Sequence, residues 1–339
     1  MSLTRRSFLG MLGLLPAAQA LRVPAATGAT IPTGTVPRRV FGRHQETLSC
    51  IGFGGHTLAL APTVQEAANI AHYAIDQGVN FFDNAWEYHN GRAEEWMGQI
   101  LAGGWREKAF IMTKACVHNG KKYEIPFTGT DKEKALQMLQ AQLKRLKTDH
   151  IDLWMIHEVK DADIAPAYAK GGIIEALEEA KQKGLVRYTG FTGHDSPEAH
   201  VKIIEGGYPF DASLLPVSVL GNTLHAKDFD KVVLPLMQKK GIAAIGMKGF
   251  GGSKRASLHG MVTVQQVIDY ALSYPMVTTQ CIGIDSMAFA QQAVAAALSA
   301  NPMSVEERNK FIASIEARGG AEYAQHLQEG YHDGACCVA

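Results

Sequence analysis

From about residue 48 the chain alternates between two rhythms. Short runs of five to eight mostly apolar residues are followed by longer stretches in which apolar side chains recur every three or four positions. The first rhythm predicts strands at Leu48–Gly52, Val79–Asp83, Ala109–Thr113, Ile151–Ile156, Val186–Phe191, Ala212–Val219, Ile242–Met247 and Thr279–Ile284. The second predicts helices between them: Pro62–Gln77, Ala93–Leu101, Lys132–Lys147, Ile173–Lys183, Pro197–Glu205, Phe229–Lys240, Val264–Ser273 and Met287–Leu298. Thr63 with Glu66 has the spacing of a capping box, and Gly78 follows as a stop. Leu136, Leu139, Leu143 and Leu146 mark the apolar stripe of the 132–147 helix. Eight β–α units over about 250 residues fit a TIM (β/α)8 barrel. An open doubly wound sheet would want a glycine fingerprint opening its first helix, and Gly52-Phe53-Gly54-Gly55 lacks the third glycine at the required spacing. Ser304 and Glu307 start one further C-terminal helix.

The first residues follow a different pattern. Thr4-Arg5-Arg6-Ser7-Phe8-Leu9-Gly10 leads into a short apolar stretch, and Ala18-Gln19-Ala20 resembles a small-residue cleavage site. Residues 1–20 are therefore expected to be a twin-arginine signal peptide, 21–36 a linker, 37–300 the barrel, and 301–339 the C-terminal helix and tail. The expected location is the periplasm or the extracellular space. The translocase is then a transient partner, with no stable membrane insertion after cleavage, because the apolar part is too short for an anchor.

Charge excludes some partners. Lys+Arg and Asp+Glu each number 33 in 339 residues, for a formal net charge of +0, so no basic field points to nucleic acid. Of the 5 cysteines, Cys50, Cys116 and Cys281 lie in or beside apolar runs and are expected as buried thiols. Cys336 and Cys337 are adjacent in the tail, without the spaced partners of a metal site.

Candidate chemistry gathers at strand ends. Asp83 closes the second apolar run and Tyr88 follows it; Lys114 follows the third and His157 the fourth. In a parallel barrel those ends share one face. A phenol is a weak acid, with pKa about 10. A neighbouring ammonium favours its ionised form, and a carboxylate holds the ammonium in place. Tyr88 as proton donor, Lys114 beside it, Asp83 as its anchor and His157 as orienter of a carbonyl oxygen make a coherent set.

Asp83, Tyr88, Lys114 and His157, in that order, resemble the tetrad of the aldo-keto reductase family, and the likeness covers about Arg38 to Ala300. Cys50-Ile51-Gly52-Phe53-Gly54-Gly55 is similar to the family's first-strand glycine turn. Tyr88 through Gly91 to Glu94 and Glu95 resembles the loop after the tyrosine. The 183–194 segment, ending Phe191-Thr192-Gly193-His194, resembles the fifth strand, and Gly241 to Lys248 the seventh. The resemblance implies hydride transfer between a small carbonyl or alcohol and a nicotinamide cofactor, with NADP(H) favoured over NAD(H). It implies cofactor contacts at Gly54, Gly55, Asp83, Thr192, Gly193, His194, Met247, Lys248, Gly249, Phe250, Gly251, Gly283 and Gln291, and no metal. An exported enzyme would keep its cofactor bound or meet a redox partner that regenerates it.

The chain departs from the family at the cofactor. Thr192-Gly193 stands where Ser-Asn is common, Met247 where Tyr is common, and Pro216 where Gln is common. The arginine that often clamps the 2′-phosphate is absent from the 283–292 stretch, where Asp285 would repel it; Lys248 or Lys254 can compensate. Two other readings remain at this point. One is a metal-dependent isomerase or lyase using ligands among Asp83, Glu87, His89, His157, Glu158 and His194. The other is a nucleotide-binding module without turnover.

Overall fold

The computed structural model describes residues 34–118, 128–194, 196–219, 229–251 and 260–318. The expected signal peptide, most of the expected linker, Lys254, Cys336 and Cys337 lie outside the described residues. A two-stranded hairpin comes first, β1 (Arg38–Val40) antiparallel to β2 (Thr47–Ser49). Eight parallel strands then close on themselves. They are β3 (Ile51–Gly54), β4 (Phe81–Asp83), β5 (Phe110–Cys116), β6 (Ile151–His157), β7 (Val186–Thr192), β8 (Ala212–Pro216), β9 (Ala243–Met247) and β10 (Val277–Gly283), with β10 paired to both β9 and β3. The fold is a (β/α)8 barrel with a further helix, Val305–Glu316, started by the Ser304–Glu307 capping box. Among the described residues no helix is long and apolar enough to cross a membrane.

The expected first strand, Leu48–Gly52, is in fact two. Leu48 ends the hairpin and Ile51 opens the barrel. The corner between them is fixed by polar groups: Ser49 Oγ donates to the Ile51 carbonyl at 2.7 Å, and the Cys50 N–H to Pro37 O at 2.8 Å. Both sides of the corner are buried, so the apolar run hid it. Phe41 and Leu48 from the hairpin pack with Phe81, Phe110, Met112, Leu153, Met155 and Ile245 inside the barrel and seal its N-terminal end. Strands buried on both faces read as continuous apolar runs, which is why the others were visible in sequence.

Two further corrections concern helices. The buried stripe of the Lys132–Leu146 helix is Ala135, Met138, Leu139, Gln142, Leu143 and Leu146; Leu136 is half-buried. Asp161–Tyr168 is a helix no pattern announced, because Pro166 inside it reads as a breaker.

Candidate active site

Strand alternation aims one set of side chains into the barrel. On β5, Phe110 and Met112 point inward, so Lys114 and Cys116 follow on the same face. On β6, Leu153 and Met155 point inward, followed by His157. Lys114 does not end its strand as expected; β5 runs two residues further, to Cys116, which pairs in register with His157. Asp83 ends β4, and Tyr88 sits in the turn that follows.

All four expected residues are buried, and Lys114 joins three groups. Its ammonium donates to Asp83 Oδ1, to the Asn84 carbonyl at 2.8 Å and to the Tyr88 hydroxyl at 2.8 Å. The Tyr88 O–H in turn lies 3.3 Å from Asp83 Oδ2, and the ammonium sits 4.5 Å from the Tyr88 ring centroid. The His157 ring stands edge-on to Tyr88, centroids 6.4 Å apart. The structure thus brings Asp83, Tyr88, Lys114 and His157 to one place at the rim; the Asn84 carbonyl as a third anchor was not foreseen.

A polar network behind β5 was also missed. Glu94, fully buried, accepts from Thr113 Oγ1 at 2.5 Å, Gln142 Nε2 at 3.0 Å and Arg145 Nε at 2.7 Å. Gln142 also donates to the Lys114 backbone carbonyl at 2.8 Å and accepts from the Trp154 indole at 2.9 Å. The Arg145 guanidinium lies 3.7 Å from the Trp86 ring centroid. The network fixes the backbone that carries Lys114. Its signal was present: Gln142 interrupts an otherwise apolar stripe at helical spacing, and a buried Gln needs partners.

The residues expected at a cofactor occupy the same rim. Gly54, Asp83, Thr192, Met247 and Gly283 end β3, β4, β7, β9 and β10. Thr192 is committed to the neighbouring turn: its hydroxyl accepts from the Glu158 N–H at 2.9 Å and its carbonyl from Val159 at 2.7 Å. Glu158 holds a left-handed backbone, φ 53°, and its carboxylate lies 3.8 Å from His194 Nε2. Lys248 has φ 59° and accepts from the Gly251 N–H, closing a turn. Phe250 faces Phe289 on the Met287–Leu298 helix, where Gln291 is exposed, as is Asp285 before it. Thr57 was missed: it accepts from Ile284 N–H at 2.7 Å and donates to Gly54 O at 3.0 Å, tying the ends of β3 and β10.

Other candidate ligands separate into pairs. Glu87 Oε2 lies 3.6 Å from His157 Nδ1, and Cys116 Sγ lies 4.0 Å from the same nitrogen. Burial, and then the Glu87 carboxylate, push the Cys116 thiol well above its usual range. His89 Nε2 meets His56 O at 2.9 Å and its ring stacks on His56; burial lowers its pKa.

Known proteins share this family and fold. Residues 50–256 match the model of the aldo/keto reductase family, and the chain belongs to that family. It is 32% identical over 159 residues to the uncharacterized oxidoreductase YqkF of Bacillus subtilis, covering 46% of this chain and 48% of that protein. It is 28% identical over 214 residues to a putative voltage-gated potassium channel subunit beta of Schizosaccharomyces pombe, covering 62% and 60%. The alignments thus span about half the length of the curated relatives matched. Among solved structures, the holo form of an aldo-keto reductase from Bacillus halodurans superposes with TM-score 0.69 at 23% identity, covering 86% of this chain and 100% of the other.

Proposed function

We propose that this protein reduces small aldehydes or ketones, or oxidises the corresponding alcohols, with a bound nicotinamide nucleotide. One observation carries the reading: a single buried ammonium, Lys114, contacts both Asp83 and the Tyr88 hydroxyl at the inner rim of the barrel. When bound, the reduced cofactor supplies the hydride. The remaining work falls to the chain. Tyr88 gives its phenolic proton to the carbonyl oxygen as negative charge develops there. Lys114 stabilises the phenolate left behind, and Asp83 keeps the ammonium oriented. His157 directs the carbonyl oxygen toward Tyr88.

The rim fits a nicotinamide. The Asn84 side-chain amide is buried beside Asp83 with no hydrogen-bond partner among the described residues for its nitrogen or its oxygen, a pair that a carboxamide would satisfy. Met247, almost fully buried, offers a thioether for packing on a ring face. NADP(H) stays ahead of NAD(H) by family resemblance, although exposed Asp285 weakens the phosphate side. A preference for NADPH above roughly a thousandfold, Kd of NADH divided by Kd of NADPH, about 4 kcal/mol, would reveal a phosphate clamp that these residues do not supply.

The reading extends to location. Arg5-Arg6 before a weakly apolar stretch supports export by the twin-arginine translocase to the periplasm or beyond. The nucleotide would then be loaded before export and recycled by alternating substrates or by a redox partner. Replacing both arginines with Lys and fractionating cells tests the route; unchanged localisation would refute it. Activity is tested by assaying the purified protein, with each nucleotide, against a panel of simple aldehydes and ketones. Nucleotide binding without oxidation by any carbonyl would leave a binding module in place of a reductase.

A further inference from the structure

We propose that Glu87, Cys116 and His157 form a binding site for a soft divalent metal ion of the Zn2+ type. Among the described residues they are the one group of three His, Cys, Asp or Glu side chains whose donor atoms all lie within 4.8 Å of one another. Two of the separations are 3.6 Å for Oε2 to Nδ1 and 4.0 Å for Sγ to Nδ1. Zinc bond lengths of 2.0–2.3 Å in tetrahedral geometry put ligand atoms roughly 3.3–3.7 Å apart. The two separations exceed their ideal values by about 0.5 Å or less and the third, within 4.8 Å, by about 1.5 Å at most, within reach of side-chain rotations.

The fold supplies the arrangement. Cys116 and His157 are register partners on adjacent parallel strands and share the inward face. Glu87 comes over them from the turn that carries Tyr88. All three are buried, so a bound ion would meet little competition from water. One carboxylate and one thiolate would neutralise a divalent charge, and the imidazole would complete a mixed oxygen, nitrogen and sulfur set that suits zinc rather than magnesium or calcium. Three protein ligands leave a fourth position for water or another small ligand. Binding breaks the Cys116 S–H bond, forms the S–Zn bond and releases one proton to solvent, so the positive charge gained is two less one.

The proposal rests on this side-chain geometry and not on the reductase reading. Its test uses the full chain, stripped with a chelator, kept reduced with a phosphine and titrated with Co2+ and then Zn2+. We expect one equivalent of metal per chain, a near-ultraviolet thiolate-to-cobalt absorption band that zinc displaces, and a melting temperature raised by zinc. Cys116→Ala and Cys116→Ser should each abolish the band and bring zinc below about a tenth of an equivalent under the conditions that saturate the wild type. Glu87→Gln should weaken binding at least about tenfold. The double variant Cys336→Ser, Cys337→Ser should behave like the wild type. A wild type without the band, a band that survives in either Cys116 variant, or a band lost with the tail cysteines would each overturn the site. No readout needs nucleotide or carbonyl, so failure here leaves the reductase reading intact, and failure there leaves this one intact.

Discussion

Each end of the barrel carries buried carboxylates facing cations, but with different company. At the N-terminal end Asp211 accepts from Arg43 at 2.6 Å, His44 and Lys181 at 2.9 Å each, and the Thr189 N–H at 2.9 Å. Asp152 accepts from Arg187 at 2.7 Å, Arg106 at 2.9 Å and the Ile111 N–H at 2.9 Å. These contacts tie the hairpin and the helices to strand starts, and apart from the His44 imidazole the donors are permanent cations or backbone. At the C-terminal end Asp83 faces Lys114 and the Tyr88 hydroxyl, and in the proposed reaction the phenol's proton is the one that leaves. A carboxylate ringed by permanent donors stabilises a fold. A carboxylate that reaches a weak acid through an ammonium can tune it.

The sharpest way to break that contrast is Tyr88→Phe. It removes one hydroxyl and keeps the ring among Ala59, Ala85 and Ala93. Turnover of an accepted carbonyl at saturating nucleotide should fall by about 10²–10⁴-fold, while the melting temperature and nucleotide Kd stay near wild type. Turnover near the wild-type value would refute the proton-donor role, and the C-terminal end would then be as structural as the other.

The next largest effect is pH-dependent and concerns one histidine. His44 sits against Asp211, whereas His200 is buried between Phe191 and Phe229, its Nδ1 against Ser196 O at 3.0 Å. Burial holds His200 down to about 4 from an ordinary 6.5. Between those values the unfolded chain binds the proton and the folded one does not, so stability falls as pH drops from about 6.5 to about 4. The loss should reach about 3 kcal/mol at the acid end. His200→Asn keeps a donor for Ser196 O and removes the titration. The difference between urea melts of wild type and variant at pH 7 and at pH 4 measures it; parallel pH profiles would show that His200 is not the group responsible.

Asp211→Asn probes the N-terminal end itself. Arg43 and Lys181 are each about a third exposed and can regain water, so the cost should be below the full penalty of a stranded buried charge, about 2–3 kcal/mol in denaturant melts. Turnover per folded molecule should not change. A variant of unaltered stability but lowered turnover would invert the assignment of the two ends.

How visible each end was in sequence follows the same division. The barrel was legible because most strand residues are buried on both faces and each run is bounded by helical rhythm, and Asp83, Tyr88, Lys114 and His157 were legible because each sits at or just beyond an apolar run. The Arg43–Asp211 and Arg106–Asp152 pairs were not, since nothing local marks a contact between residues far apart in the chain. Cys116 is the buried thiol that its place beside an apolar run implied, but its neighbour was not legible: β5 runs on to Cys116 and sets it in register with His157. The corner at Cys50 was hidden by burial on both sides, and Glu94 because, next to Glu95, it reads as part of an ordinary acidic first turn although it lies on the buried face with Met97 and Gly98. Gln142 was the one member of the missed network with a readable sign, a polar residue on an apolar stripe.

The smallest predicted effect tests whether the C-terminal end also contributes stability. Thr57 is a side chain there that works as the N-terminal carboxylates do, holding two elements by filled hydrogen bonds: its hydroxyl accepts from Ile284 N–H and donates to Gly54 O. Thr57→Val preserves shape and β-branching but leaves the N–H of fully buried Ile284 without its partner. An orphaned buried N–H costs about 1–3 kcal/mol, and the low end applies here because the Ile284 turn lies beside exposed Gly283 and Asp285, where water can reach it after a small shift. A stability loss of about 1 kcal/mol is expected. Because Gly54 and Gly283 belong to the proposed nucleotide cradle, KM for the nucleotide should rise with kcat almost unchanged. A fall in kcat with KM intact would mean that Thr57 acts on the reacting groups through β4, and the division between a proton-transferring centre and its structural surround would have to be redrawn one strand further out.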